Sequence, residues 1–324
     1  MSRLRFFTGI QASGTLTLGH YLGVIRHVLQ LQAKGTHEII IMIGDLHALT
    51  IPNREINYRE KCYEIAALLY ACGLKEENCK IFIQSEIKEH LELAFFLSPH
   101  ITVGKLGDMT QYKEKKKEGE TGNLALLSYP VLMAADIFLY DVDLVIVGQD
   151  QKQHLELATD IAQKFNNFYC FPLLKRPSFA IPEFGAKIMG LQNPTKKMSK
   201  SEKDYIALLD KPATVEKKLT PALTDSENKI YYDPEKKPGI SNLLAIYTLL
   251  SNQRMKEVEE TMSGLNYHQF KLKLIDLLNE KLAVIQKNYN LFLPKIGKIL
   301  EKNQQYLKIL AEKKIVEIKE HIKL

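Results

Sequence analysis

Two stretches, far apart in the chain, concentrate the residue types that handle anionic ligands. The first is Phe6–Gly23, FFTGIQASGTLTLGHYLG. It passes from an apolar run, Leu4–Phe7, through small and turn-forming residues, Thr8–Gly14, into a helix from about Gly19. Strand, loop and helix in that order aim backbone N–H groups and a helix N-terminus at one point, where a phosphate is stabilised. Gly9 and Gly14 permit close backbone approach. Gln11, Ser13 and Thr17 add short polar groups, and His20 lies in the first helical turn. Neither GxxxxGK[ST] nor GxGxxG is present. On spacing alone the stretch reads as an anion or nucleotide site; a plain βα turn would use the same glycines for chain reversal. The second stretch is KKMSKS, Lys196–Ser201. Its lysines among small hydroxyl residues, just after Pro194, fit a mobile cationic loop, though a solvated surface run looks the same in isolation.

Further candidates sit at the ends of apolar runs. Glu38–Gly44, EIIIMIG, is followed by Asp45, Leu46 and His47. Polar residues just past the carboxyl end of a strand lie where open α/β sheets bind ligands. His47 there suits contact with a substrate and equally a loop role holding Asp45. Gly148, Gln149 and Asp150 follow the run Leu144–Val147 and place an acid where ribose hydroxyls are accepted. Asp136 is embedded in the apolar helix VLMAADIFLY. A carboxylate costs free energy there unless it is paired, hydrogen-bonded or turned to solvent.

The elements that must position these residues alternate between strand and helix. Strands are predicted at Leu4–Ile10, Glu38–Gly44, Lys80–Gln84, Leu144–Val147 and Lys187–Leu191. Helices are predicted at Gly19–Lys34, Asn57–Cys72 (ended by Gly73), Glu86–Leu97 (ended by Pro99), Tyr129–Tyr140 and Gln151–Phe165. Thr102–Gly122, with its charge run KEKKKEGE, reads as a solvated surface segment. Alternation implies an α/β fold, a doubly wound parallel Rossmann-like sheet with right-handed crossovers and the first loop at its switch point. After Ser201 only helices are predicted: Ala213–Lys218, Ser241–Leu250, Met255–Met262, Phe270–Asn288 and Pro294–Ile322. Two domains follow, a Rossmann-like domain over residues 1–192 and a C-terminal all-helical domain over 193–324 that begins with the lysine motif. The last helix is a candidate to pack back on the first domain.

Composition sets wider bounds. A chain of 324 residues can bury a large core, and a net charge of +6 permits nucleic-acid binding without arguing for it. Cys62, Cys72, Cys79 and Cys170 form no CxxC pair, so neither a disulfide framework nor a zinc site is expected. No apolar run approaches the length of a membrane span, so no membrane partner is expected.

The two chemical stretches together resemble the class I aminoacyl-tRNA synthetases. TLGH, Thr17–His20, is similar to the first signature of that class, and KMSKS, Lys197–Ser201, is its second signature letter for letter. GIQASGTLTLGHYLG, MTQYKEK (Met109–Lys115), YPVLMAADI (Tyr129–Ile137), GQDQKQH (Gly148–His154) and PTKKMSKS (Pro194–Ser201) resemble the tryptophanyl-tRNA synthetase family in order and spacing, over nearly the whole chain.

The resemblance implies ATP-dependent activation of L-tryptophan to its adenylate, then transfer to the 3′ end of tRNA(Trp). Positioning and preorganised charge suffice for this; no covalent nucleophile is needed. By motif, Gln11, Ala12, Ser13, Gly19 and His20 approach the nucleotide. His20 stands where many members have Asn. Gly148, Gln149 and Asp150 lie at the ribose, with Gln149 replacing the usual Glu, and Ile188 faces the adenine through its backbone. Lys197 and Lys200 neutralise the departing pyrophosphate, Lys115 assists them, and Met198, Ser199 and Ser201 shape the loop. Asp136 accepts the indole N–H in a pocket lined by Phe7, Tyr129, Met133, Val145 and Val147, with Gln151 at the α-amino group. Mg²⁺ is expected as the ATP counter-ion, held mainly by phosphate oxygens; no zinc or iron–sulfur cluster is implied. Anticodon recognition falls to the helical half, whose Lys217, Lys218, Lys271, Lys273, Lys295 and Lys298 suit a phosphate-binding or a merely solvated face. A cytoplasmic homodimer is implied.

Two competing readings remain at this point. The tyrosyl family shares the fold and both signatures, but the TLTLGHYLG, LMAADI and QDQKQH wording speaks against it. A catalytically silent RNA-binding paralogue would have no need to keep both signatures intact. A small nucleotidyltransferase of the same fold would lack the long helical half.

Overall fold

In the computed structural model, which describes residues 4–35, 37–117, 122–148, 151–180, 188–198 and 204–324, five strands form one parallel sheet. They are β1 (Arg5–Gln11), β2 (Glu38–Gly44), β3 (Cys79–Ile83), β4 (Leu144–Ile146) and β5 (Ser178–Ala180), in the order β3-β2-β1-β4-β5. Every residue of β2 is buried. Ile39, Ile41 and Ile43 feed the core on one face of the sheet, Ile40 and Met42 the core on the other. Burial on both faces explains a continuous apolar run in place of alternation.

β1 pairs with β2 along its whole length but with β4 only through Phe6–Leu144 and Phe7–Val145. Thr8 Oγ1 donates to the Ile146 carbonyl at 2.9 Å, and the ladder stops there. The connections run outward to β3 on one side and to β5 on the other. The opening between β1 and β4 is therefore the topological switch point, at the carboxyl ends of the strands.

Helix α1 (Leu18–His20) continues through a π-helical turn, Tyr21–Ile25, into α2 (Arg26–Ala33). The sequence reading has a single regular helix here; π turns are rare and often accompany functional sites. There follow α3 (Asp45–Ala48), α4 (Tyr58–Ala71), α5 (Glu89–Leu97), α6 (Val103–Gly107), α7 (Thr110–Lys117), α8 (Leu124–Phe138) and α9 (Lys152–Phe168). Asn57 caps α4 by accepting from the Glu60 N–H, and Gly73 ends it at φ +110°, a conformation that strains any side chain.

Two expectations need correction. Residues 110–117, read as a solvated segment, form α7. Lys187–Leu191 is not the last sheet strand. That strand is Ser178–Ala180, which buries too little of Ser178 and Phe179 to leave an apolar signature. Ile188–Leu191 turns back on the lysine motif instead: Gly190 N–H donates to the Lys196 carbonyl at 2.9 Å, and Met198 N–H to the Ile188 carbonyl at 2.8 Å. Its apolar character is real, but its partner is a loop. Lys187 itself lies outside the described residues.

The remaining helices are α10 (Pro212–Leu219), α11 (Pro238–Ser251), α12 (Met255–Met262), α13 (Tyr267–Phe292) and α14 (Ile296–Ile322). α13 packs on α4, and α14 runs across β3 and against α5 and α4. β3 is the edge of the sheet, with backbone groups that need partners. The buried Asn303 of α14 donates to the Ile81 carbonyl at 3.0 Å and to Tyr70 OH at 2.9 Å. Tyr306 OH donates to Glu38 at 2.7 Å. No described helix is long and apolar enough to cross a membrane.

Candidate active site

A cavity of about 980 Å³ opens at the switch point. Its walls include Phe7, Gln11, Ser13, His20, His47, Lys115, Tyr129, Met133, Asp136, Val145, Val147, Gly148, Gln151 and Lys197. The structure thus gathers into one cleft residues drawn from all five motifs, from GQDQKQH and PTKKMSKS through their described residues.

At the deep end stands Asp136, fully buried on α8. It is not an orphan waiting for a donor, and it neither faces solvent nor pairs with a lysine. Gln84 Nε2 donates to Oδ1 at 2.8 Å and to Oδ2 at 3.0 Å. His90 Nδ1 lies 2.6 Å from Oδ1, and His47 Nε2 lies 2.7 Å from Oδ2. Burial would push this carboxyl up; the charges and hydrogen bonds of His47 and His90 outweigh that and hold it down to about 2. His47 does not hold Asp45, which accepts instead from the Ser85 N–H at 3.0 Å. Its ring meets Tyr129 edge-on at 5.7 Å between centroids, and its carbonyl accepts from Gln11 Nε2 at 3.0 Å.

The walls around Asp136 are apolar. Phe7 and Val145 are buried, and Met133 packs against the same core. The Tyr129 hydroxyl donates to Gln111 Oε1 at 2.7 Å and lies 2.7 Å from His154 Nε2. Those two bonds tie α7 and α9 to α8 and carry Lys115 to the rim.

At the open end, the Thr17 N–H donates to His20 Nδ1 at 3.2 Å. An N–H only donates, so Nδ1 is the acceptor and the ring proton of neutral His20 sits on Nε2. Ala12 is fully buried behind the loop, its N–H bonded to the Gly44 carbonyl at 3.2 Å. A Cβ on Gly19 would lie 3.8 Å from Met198 Sδ. The two signatures are therefore in contact, with Met198 buried and Lys197 exposed at the cavity.

A short ladder locks them together: Leu18 N–H to the Ile206 carbonyl at 2.8 Å, and Leu208 N–H to the Leu16 carbonyl at 3.0 Å. Below the lysine motif, Asp204 accepts from three successive backbone N–H groups, those of Leu191, Gln192 and Asn193, at 2.8 to 3.1 Å. Asn242 of α11 clasps the same turn, accepting from Met189 N–H at 2.9 Å and donating to its carbonyl at 3.0 Å. Gln149, Asp150, Ser199, Lys200 and Ser201 lie outside the described residues.

Sequence reasoning missed Gln84, His90, Tyr140, Asp204 and Asn242. Nothing in the local sequence sets these residues apart from their neighbours, and only the fold brings each to its partner. Of the lysines singled out in the helical half, Lys218 pairs with Asp210 at 2.6 Å. Lys271 donates to the carbonyls of Thr220 and Ala222 at 3.0 and 2.7 Å.

A parallel sheet with a switch-point cleft, a glycine-containing first loop and a lysine motif folded onto it defines a nucleotide-dependent enzyme of the class I synthetase type. The chain belongs to the family described as tRNA synthetases class I (W and Y), which it matches over residues 1–283. It is 42% identical to the tryptophan–tRNA ligase of Caldanaerobacter subterraneus subsp. tengcongensis, covering 99% of this chain and 98% of that protein. The solved tryptophanyl-tRNA synthetase of Mycoplasma pneumoniae superposes with a TM-score of 0.90 at 32% identity, over 100% of this chain and 98% of that one. That of Campylobacter jejuni, complexed with ADP and tryptophan, gives 0.85 at 31% identity, over 99% and 100%.

Proposed function

We propose that this chain activates L-tryptophan with ATP and passes the tryptophanyl group to the 3′ end of tRNA(Trp). The observation that carries the reading is one cleft with two unlike ends. One end is a buried, ionised carboxylate among apolar walls; the other is a rim of lysines, Lys115 and Lys197, beside His20.

The indole enters between Phe7, Met133, Val145 and Val147, with Tyr129 and His47 beside it. Its N–H goes to Asp136 Oδ2. Oδ1 already takes close bonds from Gln84 and His90, whereas Oδ2 takes one from His47 and a longer one from Gln84. Gln151, at the start of α9, holds the α-amino group. The carboxylate of the amino acid is thereby aimed at the α-phosphate of ATP. A bond forms between carboxylate oxygen and α-phosphorus, and the bond to pyrophosphate breaks. Gln11, Ser13, Gly19 and the Nε2–H of His20 serve the nucleotide from the first loop. Asp150 and Ile188 serve its ribose and adenine. Lys197 and Lys200, with Lys115, neutralise the charge building on the leaving pyrophosphate. Flexible ammonium groups suit a leaving group that moves. Mg²⁺ enters with ATP and is held mainly by phosphate oxygens. In the second step a ribose hydroxyl of the tRNA end attacks the acyl carbon, and AMP leaves. The helical half contacts the anticodon, and the working enzyme is a cytoplasmic homodimer.

The test is amino-acid-dependent exchange of labelled pyrophosphate into ATP, run with tryptophan, with tyrosine and with neither. Exchange with tryptophan alone supports the reading. Exchange with tyrosine keeps the chemistry and overturns the specificity. No exchange by folded protein overturns both. The chain contains no tryptophan, so bound tryptophan is read directly by its fluorescence.

A further inference from the structure

Behind Asp136, on the side away from the cleft, lies a second buried layer. His90 of α5 is fully buried and uses both ring nitrogens, Nδ1 toward Asp136 Oδ1 at 2.6 Å and Nε2 toward Tyr140 OH at 2.8 Å. Tyr140 is itself 1% exposed. It stacks near Phe7 at 6.4 Å and meets Phe82 edge-on at 5.6 Å. Its backbone carbonyl accepts from Arg5 Nη1.

The proton positions follow from the partners. An ionised Asp136 only accepts, so His90 carries a proton on Nδ1; in the neutral ring Nε2 then presents a lone pair. The Tyr140 hydroxyl then donates to that lone pair. Burial, with the negative charges of Asp136 and Glu89, pushes the Tyr140 phenol far up, so the hydroxyl keeps its proton. The groups facing this chain are His47 from α3, Gln84 beyond β3, and Glu89 on α5. His47, Gln84 and His90 touch the carboxylate, and through His90 the chain continues into the interior to Tyr140.

We propose that His90, braced by Tyr140, is a positioning residue. It fixes the orientation and ionised state of Asp136, and so sets how strongly the site selects a ligand that carries an indole N–H. This rests on the reading of Asp136 as the indole acceptor. Neither residue touches the ligand. Their effect reaches it through the carboxylate, whose hydrogen bonds to the pocket are strong because they are charge-assisted and desolvated.

The experiment uses the full enzyme and a ligand pair that differs at one position: L-tryptophan and L-3-benzothienylalanine, in which sulfur replaces the indole N–H. The readout is the ratio of their kcat/KM values in pyrophosphate exchange. His90→Gln places an amide near Nε2 and keeps a partner for Tyr140 but withdraws the donor from Asp136; the ratio is expected to fall about tenfold. His90→Asn places its amide near Nδ1 and keeps the donor; most of the ratio is expected to survive. Tyr140→Phe removes one hydroxyl and is expected to lower the ratio a few-fold. Equal losses in the Gln and Asn variants would reduce His90 to a packing role and overturn the proposal. So would an unchanged ratio in Tyr140→Phe, a variant that keeps the ring and therefore the fold. Asp136→Asn separates the two levels. If it leaves the ratio intact, the indole-acceptor reading itself fails. If it collapses the ratio while His90→Gln does not, only the present inference fails.

Discussion

The two ends of the cleft are built on opposite plans. The end proposed for the amino acid is interior: Asp136 and His90 are fully buried, and the side chains of His47, Gln84 and Tyr140 interlock around them. The end proposed for the phosphates is at the surface: Lys196 and Lys197 are exposed, and of the described part of KKMSKS Met198 alone is buried. The difference matches what each end must do. Selecting one ring over another needs an acceptor that cannot relax toward a wrong ligand. Neutralising a leaving group needs charge that follows it, and a lysine stem supplies that better than a fixed network.

The comparison is broken most severely at the lysines. Lys200→Ala, or Lys197→Ala, is expected to slow adenylate formation by about 10²- to 10³-fold, the scale for loss of one charge-stabilising group. Tryptophan affinity, read by its fluorescence, should stay within about twofold. A variant that loses tryptophan affinity in parallel would show that the two ends are not separable.

The converse substitution is Asp136→Ala. Tryptophan affinity is expected to fall by roughly 10- to 100-fold, because a charged hydrogen bond is lost and the donors of Gln84, His47 and His90 are stranded. The KM for ATP should stay near wild type. Unchanged tryptophan affinity would remove Asp136 from the recognition of the ring.

How much of this could be read from the chain depends on locality. β2 was legible because seven consecutive buried residues, EIIIMIG, leave one meaning. Asp136 was legible as a charge inside an apolar helix, and the lysine motif as composition after a proline. What stabilises Asp136 was not legible. His90 is 46 residues away and Gln84 is 52, each alone in its own segment. A helix reading EHLEL gives no reason to single out its histidine. The fifth strand failed for a related reason. Ser178 and Phe179 are exposed, so burial wrote no pattern there, while the more apolar Ile188–Leu191 pairs with a loop.

The buried end also carries an acid signature. Asp136 titrates at about 2 in the folded chain and near 3.9 when unfolded. A depressed carboxyl contributes stability that is complete above the unfolded value and is lost as pH falls through the folded one. The contribution is on the order of 2–3 kcal/mol, present above about pH 4 to 5 and gone below about pH 2. In denaturant titrations across that range, the stability gap between wild type and Asp136→Asn should shrink as pH falls. A gap that stays constant would mean the carboxylate is not held ionised by its histidines.

The smallest effect is expected where the exposed lysine end is anchored. Asp204 gathers the N–H groups of Leu191, Gln192 and Asn193, and its Oδ2 lies so close to Gly190 that a Cβ there would sit 2.3 Å away. The turn before the lysine motif is thus fixed while the lysines beyond it are exposed. Asp204→Ala leaves three donors near the surface, where water replaces part of what is lost, so the cost is about 1 kcal/mol or a fivefold fall in kcat. KM for tryptophan should not move. Asp204→Asn keeps one acceptor oxygen and should recover part of the rate, whereas Gly190→Ala collides with both Asp204 and the Asn193 carbonyl and should do at least as much harm as the deletion. The split between kcat and KM decides the matter: a brace for the lysines acts on the transfer of the phosphoryl group alone, whereas general loosening of the fold would reach Asp136 and raise KM as well.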